Sequence, residues 1–189
     1  MNLPNKLTLA RIALTFVFMF LLFSSGIYAK SAALAVFVIA CITDYFDGEI
    51  ARRTGQITNF GKLMDPIADK VLTLAAFLAF VQMGIVEAWM VVIIITRELF
   101  ITGVRFAAIS KGVVLAAEKG GKHKTVFQVT AIFLMLIFLV TKEAVRDIWT
   151  PSMELWFKRI IFYLMLLVVV LTVTSGVSFL KKNVKTLLG

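Results

Sequence analysis

Charged residues are scarce in this 189-residue sequence, at 16% of positions, against about 25% in an ordinary soluble domain. With 60% hydrophobic residues and a mean hydropathy of +0.95, the composition excludes a soluble globular class and points to a membrane protein. Cysteine is almost absent: Cys41 stands alone, which rules out a disulfide framework or a cysteine metal site within one chain. His123 is the single histidine, lies in a basic loop and is assigned no role. The sequence also lacks linker composition, short-period repeats and alternating ten-residue strand patterns. These absences argue for one domain over residues 1–189 and against a barrel. Helices remain, because backbone groups in lipid must be satisfied within the segment.

Long apolar runs recur instead, each near the roughly 20 residues that cross about 30 Å of hydrocarbon. The expected fold is all-α and polytopic, with six transmembrane helices near residues 9–23, 32–51, 62–83, 88–109, 125–141 and 155–180. The opening MNLPNKLTLAR has no small-residue cleavage site behind it. It reads as a short N-terminal interfacial helix, with Pro4 and Asn5 suited to a helix start.

Lysine and arginine set the orientation. With both termini and the even-numbered loops on one side, that side holds fifteen of these residues and the other side five. The positive-inside rule then puts the termini in the cytoplasm. The net charge of +9 is scattered over membrane loops, so it addresses anionic headgroups and anionic metabolites, and nucleic acid is not an expected partner.

Against this background the segment DYFDGEIARRTGQITNFGKLMDPIAD, residues 44–69, carries four aspartates. Asp44 and Asp47 are spaced to share one face of the second helix with Gly48, Ala51 and Arg52. Gly61, Asp65 and Asp69 step by four along the third. Two antiparallel helices joined by a short loop can bring these faces together. Four converging carboxylates would repel and take up protons unless cations neutralise them. Hard divalent ions with oxygen ligands fit, since no thiol or imidazole is near. A pair of such ions is a recurrent device for phosphoryl transfer. The alternative, ion pairing with Arg52, Arg53, Lys62 and Lys70, suits any one carboxylate better than all four, because intramembrane ionisable groups are functional by default. A divalent-cation channel or transporter is a further alternative. It would want the carboxylates near mid-membrane, whereas here they lie towards the cytoplasmic ends.

The spacing D-x2-D-G-x2-A-R-x8-G-x3-D-x3-D, filled by Asp44, Asp47, Gly48, Ala51, Arg52, Gly61, Asp65 and Asp69, resembles the signature of the CDP-alcohol phosphotransferases. The resemblance implies transfer of a phosphatidyl or similar group from a CDP-activated donor to an alcohol, with release of CMP. It implies two divalent ions, Mg2+ or Mn2+, held by Asp44, Asp47 and Asp65, with Asp69 completing the second site and acting as general base. Gly48, Arg52 and Thr58 correspond to positions that contact the cytidine diphosphate part, and Asn5 and Thr8 are taken with them as contacts to CDP-diacylglycerol. It further implies a homodimer whose sites open to the cytoplasm.

Two other polar islands bear on the acceptor. ITRELFITGVR, residues 95–105, puts Arg97 in an apolar helix, where a buried arginine needs an anion or carboxylate partner. Adjacent residues on a helix do not face each other, which weakens a pairing with Glu98. KGGKHKT, residues 119–125, supplies Lys122 and Lys124, for which ordinary positive-inside flanking is the competing account. Arg97, Arg105, Lys122 and Lys124 together suit an acceptor that is itself a phosphate ester. With the opening NLPNKLTLAR, these stretches look like the branch of the family that uses glycerol 3-phosphate in a bacterial inner membrane. Inositol phosphate, serine and phosphatidylglycerol are the alternative acceptors. The last third of the chain matches in hydropathy alone and is assigned no role.

Overall fold

The computed structural model describes the backbone of residues 3–54, 59–110 and 120–188, and the side chains of residues 9–43, 70–110 and 124–184. Among these residues it is helical throughout, with no strand. Helix α1 is Leu3–Phe23, α2 Ile27–Thr54, α3 Asn59–Gln82, α4 Ala88–Ser110, α5 Gly120–Ala144 and α6 Pro151–Leu188, with a single 3-10 turn at Arg146–Ile148. The interfacial helix expected ahead of the first span is not a separate element. Residues 3–23 form one continuous helix, because Pro4 sits in the first turn, where its missing N–H costs nothing, and no breaker follows it.

By length and apolarity two helical stretches among the described residues are sufficient to cross a membrane, Lys124–Ala144 and Pro151–Val184. Shorter apolar stretches run over Leu9–Phe23, Ile27–Thr43 and Lys70–Gln82. Large apolar side chains such as Phe16, Phe20, Leu99, Phe100 and Tyr163 are exposed, as expected of faces that meet lipid and not water.

The chain divides into two compact units, one of residues 1–79 and 132–151, the other of residues 80–131 and 152–189. In the first, α1 and α2 form a hairpin. Every third or fourth residue of α1 is buried, as Arg11, Thr15, Phe18 and Leu22, and α2 answers with Lys30, Ala33, Phe37 and Ala40. The Phe18 and Phe37 rings meet at 5.8 Å between centroids. Gly26 joins the helices at φ 96°, a left-handed conformation that a Cβ would strain. The Lys30 ammonium donates to the Leu22 carbonyl at 2.5 Å, which satisfies an end-of-helix acceptor that has no partner within α1.

In the second unit α3 ends in a left-handed cap. Gly84, at φ 66°, donates its N–H to the Val81 carbonyl at 3.0 Å, and Ile85 donates to Phe80 at 2.9 Å, the pattern of a glycine-terminated helix. Helix α4 buries Met90, Val91, Ile94, Glu98, Ile101 and Ala108. Helix α6 buries Ile161, Met165, Val168, Thr172, Ser175, Phe179 and Asn183. The steps of three and four select one stripe of a helix that is apolar nearly all round.

Candidate active site

The motif aspartates lie on regular helix. Positions 44, 47, 48 and 52 occupy the last three turns of α2, and positions 65 and 69 the first three turns of α3. The side chains of Asp44, Asp47, Gly48, Arg52, Asp65 and Asp69 lie outside the described residues, as do those of Asn5, Thr8 and Lys122, and Thr58 falls outside the described backbone. The helical register nevertheless says which stripe each position continues. On α2 the buried sequence Ala33, Phe37, Ala40 advances in steps of four and three directly onto positions 44 and 47. On α3 the buried sequence Leu72, Ala76, Ala79 runs back in the same steps onto positions 69 and 65. All four acidic positions therefore continue, in helical register, the stripes that are buried in the described parts of their helices.

A second cluster lies wholly in the other unit and joins three helices. Lys124 of α5 is ion-paired through Nζ to Glu98 Oε1 of α4, and both residues are buried. Arg97 Nη1 stands 3.5 Å from the same carboxylate oxygen. The sequence argument that neighbouring helical residues do not face each other is thus corrected here: the arginine side chain is long enough to reach back across its own helix, and the inward-facing carboxylate draws it. Arg97 Nη2 also donates to Ser175 Oγ of α6 at 2.8 Å. Gly176 lies directly against this side chain, so that a Cβ placed there would sit 3.2 Å from Arg97 Cγ and 3.3 Å from Nε. In the same unit, Gln128 and Thr172 are also buried, one turn from Lys124 and from Ser175 respectively.

The structure therefore brings together two of the four cations expected to serve an acceptor, Arg97 and Lys124, through Glu98. Arg105, two turns along α4, is exposed and lies over the Phe179 ring, 5.2 Å from its centroid, a cation–π contact. A carboxylate shared between a guanidinium and an ammonium leaves one net positive charge in a low-dielectric surrounding. Such a site can receive an anion without carrying two unbalanced buried charges. Ser175 and Gly176 were missed by the sequence reasoning. Their only signal is a pair of small residues within a long apolar helix.

A profile of the CDP-alcohol phosphatidyltransferase family matches residues 1–174. The sequence is similar to the CDP-diacylglycerol--glycerol-3-phosphate 3-phosphatidyltransferase of Bacillus subtilis (strain 168), at 38% identity over 96% of this chain and 95% of that protein. It is 45% identical to a probable phosphatidylglycerophosphate synthase of Mycobacterium tuberculosis (strain H37Rv) over 139 residues, which cover 72% of this chain and 66% of that one. A further CDP-diacylglycerol--glycerol-3-phosphate 3-phosphatidyltransferase, from Rickettsia typhi, is 36% identical over 72% of this chain and 76% of its own.

Proposed function

From the premise that the chain belongs to the CDP-alcohol phosphatidyltransferase family, we propose that it transfers the phosphatidyl group of CDP-diacylglycerol to glycerol 3-phosphate, yielding phosphatidylglycerophosphate and CMP in phospholipid biosynthesis. The relatives that match over most of their length carry that activity in their names. The observation in this chain that carries the reading is the register of α2 and α3. Positions 44, 47, 65 and 69 continue the steps of the buried stripes Ala33, Phe37, Ala40 and Leu72, Ala76, Ala79, which supports the reading, since an uncompensated negative charge on such a face would be untenable.

That register and an all-oxygen donor set fit hard divalent cations. Asp44, Asp47, Asp65 and Asp69 would hold two of them, Mg2+ or Mn2+. When bound, the ions neutralise the pyrophosphate and the charge that develops at the transferring phosphorus. Gly48, Arg52 and Thr58, with Asn5 and Thr8, hold the CDP-diacylglycerol headgroup, the guanidinium of Arg52 offering a fork to phosphate. Arg97, Arg105, Lys122 and Lys124 receive the phosphate of the acceptor. Asp69 takes the proton of the acceptor's primary hydroxyl. The freed oxygen attacks the phosphorus that bears diacylglycerol, and the bond to the CMP oxygen breaks.

The architecture that serves this chemistry is one domain of six membrane-spanning helices in a bacterial inner membrane. Its termini and site face the cytoplasm, and two copies form a homodimer. Donor acyl chains stay in the bilayer while glycerol 3-phosphate arrives from the cytosol.

The experiment is CMP release by the purified protein supplied with CDP-diacylglycerol and, in turn, glycerol 3-phosphate, inositol phosphate, serine and phosphatidylglycerol. Release with glycerol 3-phosphate at a rate well above the other three is expected. Preference for another alcohol would replace the acceptor, and divalent-cation flux without any CMP release would replace the enzyme with a transporter.

A further inference from the structure

Arg97 is held from a direction that no motif describes. Its side chain is 14% exposed, and two of the groups that fix it lie on α6, in the part of the chain beyond residue 174, where the family match ends. Ser175 Oγ accepts from Nη2 at 2.8 Å. At Gly176 the three atoms nearest to an added Cβ all belong to Arg97: Cγ at 3.2 Å, Nε at 3.3 Å and Cδ at 3.8 Å. The space left by the missing side chain is therefore occupied by this arginine and not by the backbone of a neighbouring helix. Small residues in membrane helices let neighbouring groups approach closely, and at Gly176 the group that approaches is the Arg97 side chain.

An arginine with several rotatable bonds loses conformational freedom when it clamps a phosphate, and fixing it beforehand reduces that loss. We propose that Ser175 and Gly176 are positioning residues that aim the Arg97 guanidinium at the phosphate of the acceptor, so that α6 takes part in acceptor recognition. The inference rests on the assignment of Arg97 to glycerol 3-phosphate.

The test is a pair of double-mutant cycles on the full chain purified in detergent. KM for glycerol 3-phosphate, KM for CDP-diacylglycerol and kcat are read separately for Ser175→Ala, Gly176→Ala, Arg97→Lys and the two double variants. Each α6 substitution is expected to raise KM for glycerol 3-phosphate about three- to tenfold, the size of coupling seen between contacting residues, with KM for CDP-diacylglycerol unchanged. In the Arg97→Lys background neither substitution should add to the effect. A raised acceptor KM in Arg97→Lys alone, with both α6 variants like wild type, overturns the positioning role and leaves the acceptor reading standing. Fully additive effects overturn it as well, since the α6 residues would then act by another route. An unchanged acceptor KM in Arg97→Lys sinks the acceptor reading and the inference with it. Should Gly176→Ala fail to fold, the Ser175→Ala cycle decides alone.

Discussion

Lys124 and Glu98 form an ion pair between α5 and α4 in which neither side chain is more than 7% exposed. Opposite charges removed from water to this degree depend on each other: each offsets the desolvation of the other, and neither can recruit solvent if its partner is lost. Glu98→Ala should therefore lower stability by about 3–5 kcal/mol, read as a drop in the thermal unfolding midpoint of the detergent-purified protein. The double replacement Glu98→Met with Lys124→Met should recover part of that loss, because it removes the Lys124 charge together with its partner and leaves only Arg97, which keeps its hydrogen bond to Ser175. A single variant that melts like wild type would mean that water reaches the pair, and the description of a shielded site would be wrong.

Asp69 occupies a position on α3 in phase with buried Leu72 and Ala76, and it is the residue given the proton in the proposed reaction. Asp69→Asn keeps shape and polarity but cannot act as a base at neutral pH. CMP release should fall by at least about a hundredfold, the lower end of what a positioned base contributes, while helix content by circular dichroism stays that of wild type. Turnover at the wild-type rate would remove Asp69 from the mechanism.

How far these residues could be read beforehand depended on whether their partners were near in sequence. The pairing of Asp44 with Asp47, and of Asp65 with Asp69, is a local matter of helical spacing, and the spacing alone was sufficient to put each pair on one face. The buried stripes that these positions continue follow the same arithmetic. Arg97 stands out in the sequence because it interrupts an apolar run, yet its contacts are not legible there. Ser175 and Gly176 lie 78 and 79 residues further on, in a helix where hydropathy gives every face much the same value. Backbone spacing argues against the pairing of Arg97 with Glu98, because it does not account for the reach of a long side chain. The merging of the opening segment into α1 was missed for a simpler reason. A proline in the first turn of a helix and a proline at its boundary leave the same trace in sequence.

The dependence on divalent cations follows from the donor set. Chelation with excess EDTA should abolish CMP release, and added Mg2+ or Mn2+ should restore it, whereas Zn2+, which favours nitrogen and sulfur ligands, should restore little. Binding can be read without turnover, as an upward shift of the unfolding midpoint with Mg2+ or Mn2+ concentration, since a ligand that binds only the folded state stabilises it. The shift should vanish in Asp44→Asn and Asp65→Asn. Persistence of the full shift in both variants would locate the ions elsewhere.

The proposed six-span arrangement makes a prediction about sides that two engineered cysteines can decide. Ser110 closes α4 and Ser152 opens α6, both are exposed, and among the described residues the long helix between them is α5, whose Lys124–Ala144 stretch is apolar and long enough to cross a bilayer. One crossing between two points puts them on opposite sides. Under the proposed orientation, which follows the fifteen-to-five distribution of lysine and arginine, Ser110 would lie inside and Ser152 outside. In a Cys41→Ser background, a membrane-impermeant maleimide added to intact cells with a permeable outer layer should label Ser152→Cys and spare Ser110→Cys, and both should react after lysis. Labelling of Ser110→Cys alone would invert the orientation and move the aspartate ends of α2 and α3 away from the cytosolic supply of glycerol 3-phosphate. Labelling of both in intact cells would mean that α5 does not cross, and the span count would have to be reduced.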